Sequence, residues 1–407
     1  MRWTVMVMGQ GLYSQSRRRL VLTGLGALLV SAAASSVAGI YLGSVREVLG
    51  LIPGLMVLLP SIIDMRGNIA GVLASRLSSS MHLGEFSINF EEGCVLGDNI
   101  RASFVVTVLI AFVLGIFAYI ASLLAGLPVV GITDLVLISV VSGIVSGLVV
   151  MGITLVIALA SYRYGLDLDM IAAPTVTTSG DIVTLPILVL SAVFVMLLSP
   201  PARLVLGVAV VAVAIAAVLY THRRPEGIGA IVRENLSLLI PLSVLGTMAG
   251  LTYSLNLDDL VTFAAFLILI PPFMGGLGSI GGILGSRLST GMHTGELNPQ
   301  PLPERAAVHH FIISYLYTLI LLPLLALIAH GAAVLMGLNS PGLGMLVTIS
   351  LVAGLVVMTL VNGAAYVTAS LSFRYGLDPD NFGIPVITSL IDLIGAATLV
   401  AVIDLLL

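Results

Sequence analysis

Lysine is absent from this chain of 407 residues, and all 16 of its basic residues are arginine. Charged residues of every kind make up only 9% of the sequence. Soluble domains carry about 25%, so this chain has too few charges to cover a surface in water. Cys94 is the only cysteine, which excludes an intrachain disulfide and a cysteine-rich metal site. Alternation of apolar and polar residues is also missing, which argues against a membrane barrel of strands.

Apolar sequence is what the chain has in abundance. Hydrophobic residues make up 58% of it, and the mean hydropathy is +1.17. Uncharged runs such as 20–42, 105–124 and 343–360 are long enough to cross a hydrocarbon core of about 30 Å as helices. The first run extends past the apolar core of a signal peptide, so no cleavable signal is expected. The sequence therefore predicts an all-α polytopic membrane protein.

The chain contains an internal repeat, in which adding 211 to a residue number leads from the first half to the second. Residues 60–85 read PSIIDMRGNIAGVLASRLSSSMHLGE, and residues 271–296 read PPFMGGLGSIGGILGSRLSTGMHTGE. Residues 163–181 and 374–392 correspond in the same way, and both begin with RYGLD. A repeat of this length predicts two equivalent structural units.

Eleven spans are predicted, five in each repeat and one between them. They lie near 20–42, 50–80, 102–125, 132–160, 173–198, 203–220, 235–253, 260–290, 306–336, 343–372 and 384–406. The corresponding domains are a cytoplasmic N-terminal segment at 1–19, a first repeat at 20–199, a linking helix and cytoplasmic loop at 200–234, and a second repeat at 235–407. The second span of each repeat is rich in Gly and Ser, and we expect it to be either tilted or broken, with a break near its prolines, Pro60 and Pro271, or near Gly67 and Gly278.

Arginine is distributed unevenly between the two sides of the predicted membrane. Apart from Arg66, which lies well within a span, all arginines except Arg46 and Arg203 fall on the side of the N-terminus, which predicts a cytoplasmic N-terminus. Five spans are an odd number, so the linking span lets the second repeat insert in the same direction as the first. The two repeats are therefore predicted to be parallel, with a pseudo-twofold axis along the membrane normal.

Two aspartates occupy equivalent apolar positions in the last spans of the two repeats. Asp181 and Asp392 each follow a proline and hydroxyl residues, and an aspartate within a span costs on the order of 3 kcal/mol. Two carboxylates that meet across the axis repel each other unless a cation lies between them. Thr177 and Thr388 add oxygen ligands of the kind that Mg²⁺ prefers. The alternative is that each carboxylate caps or bonds a neighbouring helix.

Further polar candidates lie in the second spans. Asp64 and Asn68 are candidate pore-lining ligands in the first repeat only. The alternative is that Asp64 pairs with Arg66, the one arginine well within a span, to close a helix break. The cytoplasmic ends of the second spans carry four candidates for a pore mouth, namely His82, His293, Glu85 and Glu296. The alternative for these four is an ordinary solvated helix end.

These motifs resemble those of the MgtE-type divalent-cation channels and of the solute-carrier family 41 magnesium transporters. The resemblance rests on residues 60–78, their partial copy at 285–289, and residues 174–181 with their copy at 385–392. It implies that Mg²⁺ or a related divalent cation passes through a pore at the repeat interface, where the carboxylates of the last spans bind the hydrated ion. The second repeat reads Gly278-Ser279 where the first reads Gly67-Asn68, which departs from a symmetric site.

The resemblance also implies that one chain supplies both halves of the pore, as a pseudo-dimer compatible with a monomer in the cytoplasmic membrane. The expected partners are a divalent cation and the lipid bilayer, with no nucleic acid, no organic cofactor and no enzymatic activity. Two alternatives remain open. One is a carrier that exchanges a divalent cation for Na⁺ or H⁺ at the same site, and the other is an intramembrane enzyme that uses the aspartates as acid and base.

Overall fold

A computed structural model describes the backbone of residues 2–164, 168–224, 226–300, 302–375 and 379–407. Side chains are described over the same ranges except at residues 2–21, 23, 169–178 and 379–382. Throughout these ranges all regular secondary structure is helical, with no strand. The helices are α1 (Arg2–Ser44), α2 (Arg46–Leu51), α3 (Leu55–His82), α4 (Val95–Leu124), α5 (Ile132–Tyr164), α6 (Leu168–Leu197), α7 (Pro200–His222), α8 (Ile228–Leu255), α9 (Leu257–Thr262), α10 (Ala264–His293), α11 (Arg305–Leu335), α12 (Leu343–Tyr375) and α13 (Pro379–Leu406).

Eleven of the described helices are long and apolar enough to cross a membrane, which confirms the predicted number of spans. The helices of the two halves correspond under the shift of 211 residues. α5 spans Ile132–Tyr164 and α12 spans Leu343–Tyr375, so both ends of this pair agree. The short helices α2 and α9 agree at both ends as well. The fold is therefore the predicted one, with two parallel five-span repeats and the linking helix α7.

The second span of each repeat is continuous, and the expectation of a break at its prolines or glycines was wrong. α3 runs unbroken across Pro60 and Gly67, and α10 runs unbroken across Pro271 and Gly278. A proline removes one backbone hydrogen bond, and packed neighbouring helices compensate for this loss inside a membrane. The interruption lies before the span instead. The chain turns there at Gly54 with a φ of 90°, a conformation that glycine adopts without steric cost.

The first span of each repeat packs on the other repeat. α1 packs against α10 and α11, and α8 packs against α3 and α4 in the equivalent way. A Cβ at Gly39 of α1 would lie 2.0 Å from the carbonyl oxygen of Ile268, and a Cβ at Gly250 of α8 would lie 2.2 Å from that of Val57. The two contacts are the same contact under the shift of 211 residues. Small residues allow such close backbone approach in membranes, and here they interlock the repeats.

The linking helix α7 lies at the outside of the bundle. It packs mainly against α4 and α5, and only 17% of its most apolar stretch is buried. Arg203 Nη1 at its beginning lies 3.2 Å from Asp134 Oδ2 of α5. Just beyond its end, Arg224 pairs with Glu92. Both ends of α7 are thus attached to the first repeat, which fits a helix whose task is to return the chain to its starting side.

Candidate functional site

Asp181 lies where three helices of the two repeats meet. It belongs to α6 and is 8% exposed. Its Oδ2 accepts a hydrogen bond of 2.9 Å from the hydroxyl of Ser35 on α1. Gly275 of α10 lies against both, since a Cβ there would come 2.8 Å from Ser35 Oγ and 3.5 Å from Asp181 Oδ2. The first candidate carboxylate is therefore held at the repeat interface by a residue of the interlocking helix α1.

Two further hydroxyls extend this half of the site. The hydroxyl of Ser31, one turn before Ser35 on α1, lies 3.2 Å from the hydroxyl of Ser279 on α10. Ser279 also donates to the carbonyl oxygen of Gly275 at 2.8 Å. This half of the site thus combines one carboxylate with three hydroxyl groups, all on helices that cross the interface.

The other half of the site brings together more acidic groups. Asp64 of α3 accepts a hydrogen bond of 2.5 Å from the hydroxyl of Ser389 on α13. Asn68 follows one turn later on α3 and is 9% exposed. Asp392 follows Ser389 by three residues on α13, and residues three apart lie on the same face of a helix. The carboxylate of Asp392, which belongs to the second repeat, therefore lies on the side of α13 that faces Asp64 of the first repeat.

Among the described residues, the three carboxylates of Asp64, Asp181 and Asp392 form no ion pair with a basic side chain. Carboxylates that share a buried region favour a bound cation because it offsets their mutual repulsion. Together with the hydroxyl and amide groups they form an oxygen-rich set, which suits a hard divalent cation. In the part of the chain that the structure describes, no three side chains of His, Cys, Asp or Glu are grouped closely enough to hold a metal ion directly.

At two positions of the site, a polar residue of the first repeat corresponds to a glycine in the second repeat. The shift of 211 residues carries Ser35 of α1 to Gly246 of α8, and it carries Asp64 of α3 to Gly275 of α10. One half therefore takes its extra polar group from its first span and the other takes it from its second span. The asymmetry predicted from Ser279 and Asn68 is thus part of a larger difference between the halves.

Two of the predicted ligands are threonines, and neither is seen to join this set. The hydroxyl of Thr388 donates within α13 to the carbonyl oxygen of Pro385 at 3.0 Å, and its methyl group faces Gly278. The neighbouring Ser389 reaches Asp64 instead. The side chain of Thr177 lies outside the described residues, so its role as a ligand stays a prediction.

The predicted pore-mouth residues lie at the exposed ends of α3 and α10. His82 and His293 are the last residues of these helices. Glu85 and Glu296 follow three residues later, and all four are exposed. The ring nitrogen Nδ1 of His293 lies 2.9 Å from the carbonyl oxygen of Ser289. The pore mouth that these four residues would form stays a prediction.

Asp64 does not pair with Arg66, so the alternative of a closed helix break is not realised. No ion pair joins these two described residues. Residues two apart do not face each other on a helix, and the guanidinium of Arg66 lies against Gly147 of α5 instead. Asp64 instead accepts the hydrogen bond of Ser389 at the interface between the repeats.

Sequence reasoning missed the four serines of the site, Ser31, Ser35, Ser279 and Ser389. One signal was present, since Ser31 and Ser35 are four residues apart and share one face of an apolar helix. The copy of Asn68 also marked Ser279 as a polar position inside a span. Nothing in the sequence distinguished Ser389 from Thr388.

Comparison with known proteins finds the same duplication. Residues 59–191 and 270–402 each match the MgtE family, described as a divalent cation transporter. Solute carrier family 41 member 3 of Mus musculus is 28% identical over 365 residues, which cover 85% of this chain and 74% of that protein. The member 3 protein of Rattus norvegicus is 26% identical over 394 residues, covering 91% of this chain and 84% of that protein.

A member 2 protein is more distant. Solute carrier family 41 member 2 of Xenopus laevis is 25% identical over 377 residues, which cover 84% of this chain and 64% of that protein. No solved structure matches the chain. The two matched segments together cover more than half of the chain and fall within the two repeats defined by its own helices.

Proposed function

We propose that this chain carries Mg²⁺ or a related divalent cation across the cytoplasmic membrane along the interface between its two repeats. The chain belongs to the MgtE family of divalent cation transporters. The observation that carries this proposal is that two carboxylates of the first repeat lie where it meets the second, since Asp64 accepts a hydrogen bond from Ser389 of α13 and Asp181 lies beside Gly275 of α10. Carboxylates without a basic partner at a helix interface favour a cation of high charge.

The proposed path runs between the two repeats along their pseudo-twofold axis. Mg²⁺ gives up its waters reluctantly and keeps several of them when it binds to proteins. The carboxylates of Asp181 and Asp392 would accept hydrogen bonds from those waters rather than enclose the bare ion. Ser35 orients Asp181 and Ser389 orients Asp64, so these two carboxylates are held in place before the ion arrives.

Flux into proteoliposomes tests the proposal. The purified chain is reconstituted, and entry of Mg²⁺, Mn²⁺ or Co²⁺ is followed with and without an imposed Na⁺ or H⁺ gradient. Saturable entry of a divalent cation above the rate of protein-free vesicles is expected. Lipid turnover without ion flux would contradict transport and support the intramembrane enzyme.

The third carboxylate favours a coupled carrier as the second candidate. A divalent cation offsets two of three negative charges, which leaves one carboxylate to take Na⁺ or H⁺. Asp64 is present in one repeat only, since Gly275 stands at its equivalent position, so this third charge has no counterpart by symmetry. Transport that requires an opposing Na⁺ or H⁺ gradient would indicate this exchanger, and transport that ignores both gradients would indicate a channel.

Asp64→Asn is expected to weaken any dependence of divalent flux on the counter-ion gradient while leaving most of the flux at saturating ion concentration. The reason is that it removes one of three carboxylates but keeps Asp181 and Asp392. Flux is measured at a series of gradients for the variant and for the unchanged chain. A variant with unchanged gradient dependence would contradict a role of Asp64 in coupling.

We propose a cytoplasmic N-terminus from the arginine asymmetry, and the parallel repeats allow a labelling test. In a Cys94→Ser background, single cysteines replace Tyr164, Tyr375 and Asp258, all of which are exposed. Tyr164 and Tyr375 end equivalent helices, so both cysteines should react from the cytoplasmic side with an impermeant reagent. The cysteine at 258 should react from the other side. Reaction of positions 164 and 375 from opposite sides would refute the parallel insertion.

A further inference from the structure

Arg66 carries a buried guanidinium inside a membrane-crossing helix, with no counter-charge among the described residues. It lies in the middle part of α3 and is 2% exposed. Its Nη2 contacts Met65 Sδ at 3.7 Å, and its Nε has no hydrogen-bond partner. Among described residues it forms no ion pair. Ionisable residues at this depth are rare and pair with something, so an unpaired one indicates a ligand.

A small cavity lies beside this guanidinium, between α3, α4 and α5. Arg66, Ser103, Thr107 and Gly147 contribute to its wall, together with apolar side chains. Its volume is about 10 Å³, which is room for about one water molecule. A Cβ at Gly147 would lie 2.1 Å from Nη1 of Arg66. Glycine at that position is therefore what allows the guanidinium to reach the cavity.

The position equivalent to Arg66 in the second repeat is uncharged, and the residues around it differ accordingly. Under the shift of 211 residues, Arg66 becomes Leu277 and Gly147 becomes Met358. The positions of the two hydroxyls are occupied by Ser314 and Thr318. There Ser314 Oγ donates to Asn362 Oδ1 at 2.8 Å and Thr318 Oγ1 donates to the carbonyl oxygen of Ser314 at 2.9 Å. The second repeat thus satisfies these hydroxyls internally.

We propose that Arg66 holds a small monovalent anion of halide size in this cavity. A guanidinium only donates hydrogen bonds, so its natural ligand is an acceptor with negative charge. Ser103 and Thr107 line the same cavity, and a hydroxyl that rotates toward the anion would supply a further donor. The volume excludes larger anions such as gluconate, and lipid headgroups lie at the membrane surface rather than at this depth. This site is separate from the carboxylates at the repeat interface and does not rest on the proposed transport.

The test is thermal unfolding of the purified chain in detergent, without divalent cations. Chloride replaces gluconate stepwise at constant ionic strength. A ligand of the folded state raises the unfolding midpoint in a saturable manner, so the midpoint should rise with chloride and level off. Arg66→Gln should abolish this response. Thr107→Val should weaken the apparent chloride affinity by about tenfold, the effect of losing one hydrogen bond to a charged group.

Thr318→Val is the matched control, because it is the same substitution at the equivalent position of the second repeat. It should keep the chloride affinity of the unchanged chain. Equal midpoints in chloride and gluconate for the unchanged chain would overturn the proposal, and so would an unaltered response in Arg66→Gln. If Arg66→Gln does not fold, equal chloride affinities in Thr107→Val and Thr318→Val would overturn it. The assay contains no transported cation, so its outcome is independent of the flux experiments.

Discussion

Asp181→Asn and Asp392→Asn are each expected to lower the apparent affinity for the divalent cation in flux assays by about tenfold or more, the effect of losing one hydrogen bond to a charged group. Each substitution removes one of the carboxylates that are proposed to bind the hydrated ion, while it keeps the shape of the side chain. Asparagine still accepts hydrogen bonds from the waters of a hydrated ion. The loss should therefore be largest at low ion concentration and smaller at saturation.

The measurement is the initial rate of entry into proteoliposomes over a range of Mg²⁺ concentrations. Asp404→Asn is a matched control, because Asp404 also belongs to α13 but is exposed near its end. It should transport like the unchanged chain. The double variant of Asp181 and Asp392 should be weaker than either single variant. Two single variants with unchanged rates at every concentration would contradict the assigned site and leave Asp64 and Asn68 as the next candidates.

Ser35→Ala should have a milder effect than Asp181→Asn. Ser35 donates a hydrogen bond to Asp181 but carries no charge, so its loss affects the orientation of the carboxylate and not its presence. The expected loss is about 1 kcal/mol of ion binding, or roughly fivefold in apparent affinity. The same flux titration measures it. An effect as large as that of Asp181→Asn would mean that the hydroxyl itself contacts the ion.

The aspartates within the spans were predictable from the sequence and their serine partners were not. An aspartate in an apolar span is costly wherever the helix lies, so Asp181 and Asp392 stand out before any packing is known. A serine in a span usually bonds to its own helix. Ser36 does so, since its hydroxyl donates to the carbonyl oxygen of Ala32 at 2.6 Å, whereas the adjacent Ser35 donates to Asp181. Only the packing of α1 against α6 and α10 separates these two neighbours.

The spans were predictable for a similar reason, and their arrangement was less so. Apolar length decides whether a helix crosses a membrane, and the repeat fixes which helices are equivalent. Which repeat α1 packs against depends on close contacts such as that of Gly39 with Ile268, which no local pattern reports. The expected break at Pro60 failed because a lost hydrogen bond is a local cost that the packing around α3 offsets.

Gly39→Ala and Gly250→Ala are expected to destabilise the folded protein by about 1–3 kcal/mol each, or more, as overpacking of a tight interior does. A Cβ at either position would come 2.0 or 2.2 Å from a carbonyl oxygen of the other repeat. A backbone oxygen in a packed helix cannot move aside as the end of a side chain can. Each variant must therefore push α1 away from α10, or α8 away from α3, along its length.

Thermal unfolding in detergent measures the effect, and Gly26→Ala is the matched control because it lies on α1 with nothing within 4 Å of the added Cβ. That control should be at least as stable as the unchanged chain, since alanine is the better helix former by about 1 kcal/mol. The two crossings are equivalent under the repeat, so similar losses are expected from Gly39→Ala and Gly250→Ala. If neither variant lowers the unfolding midpoint below that of the control, the interlocked packing of the repeats is wrong.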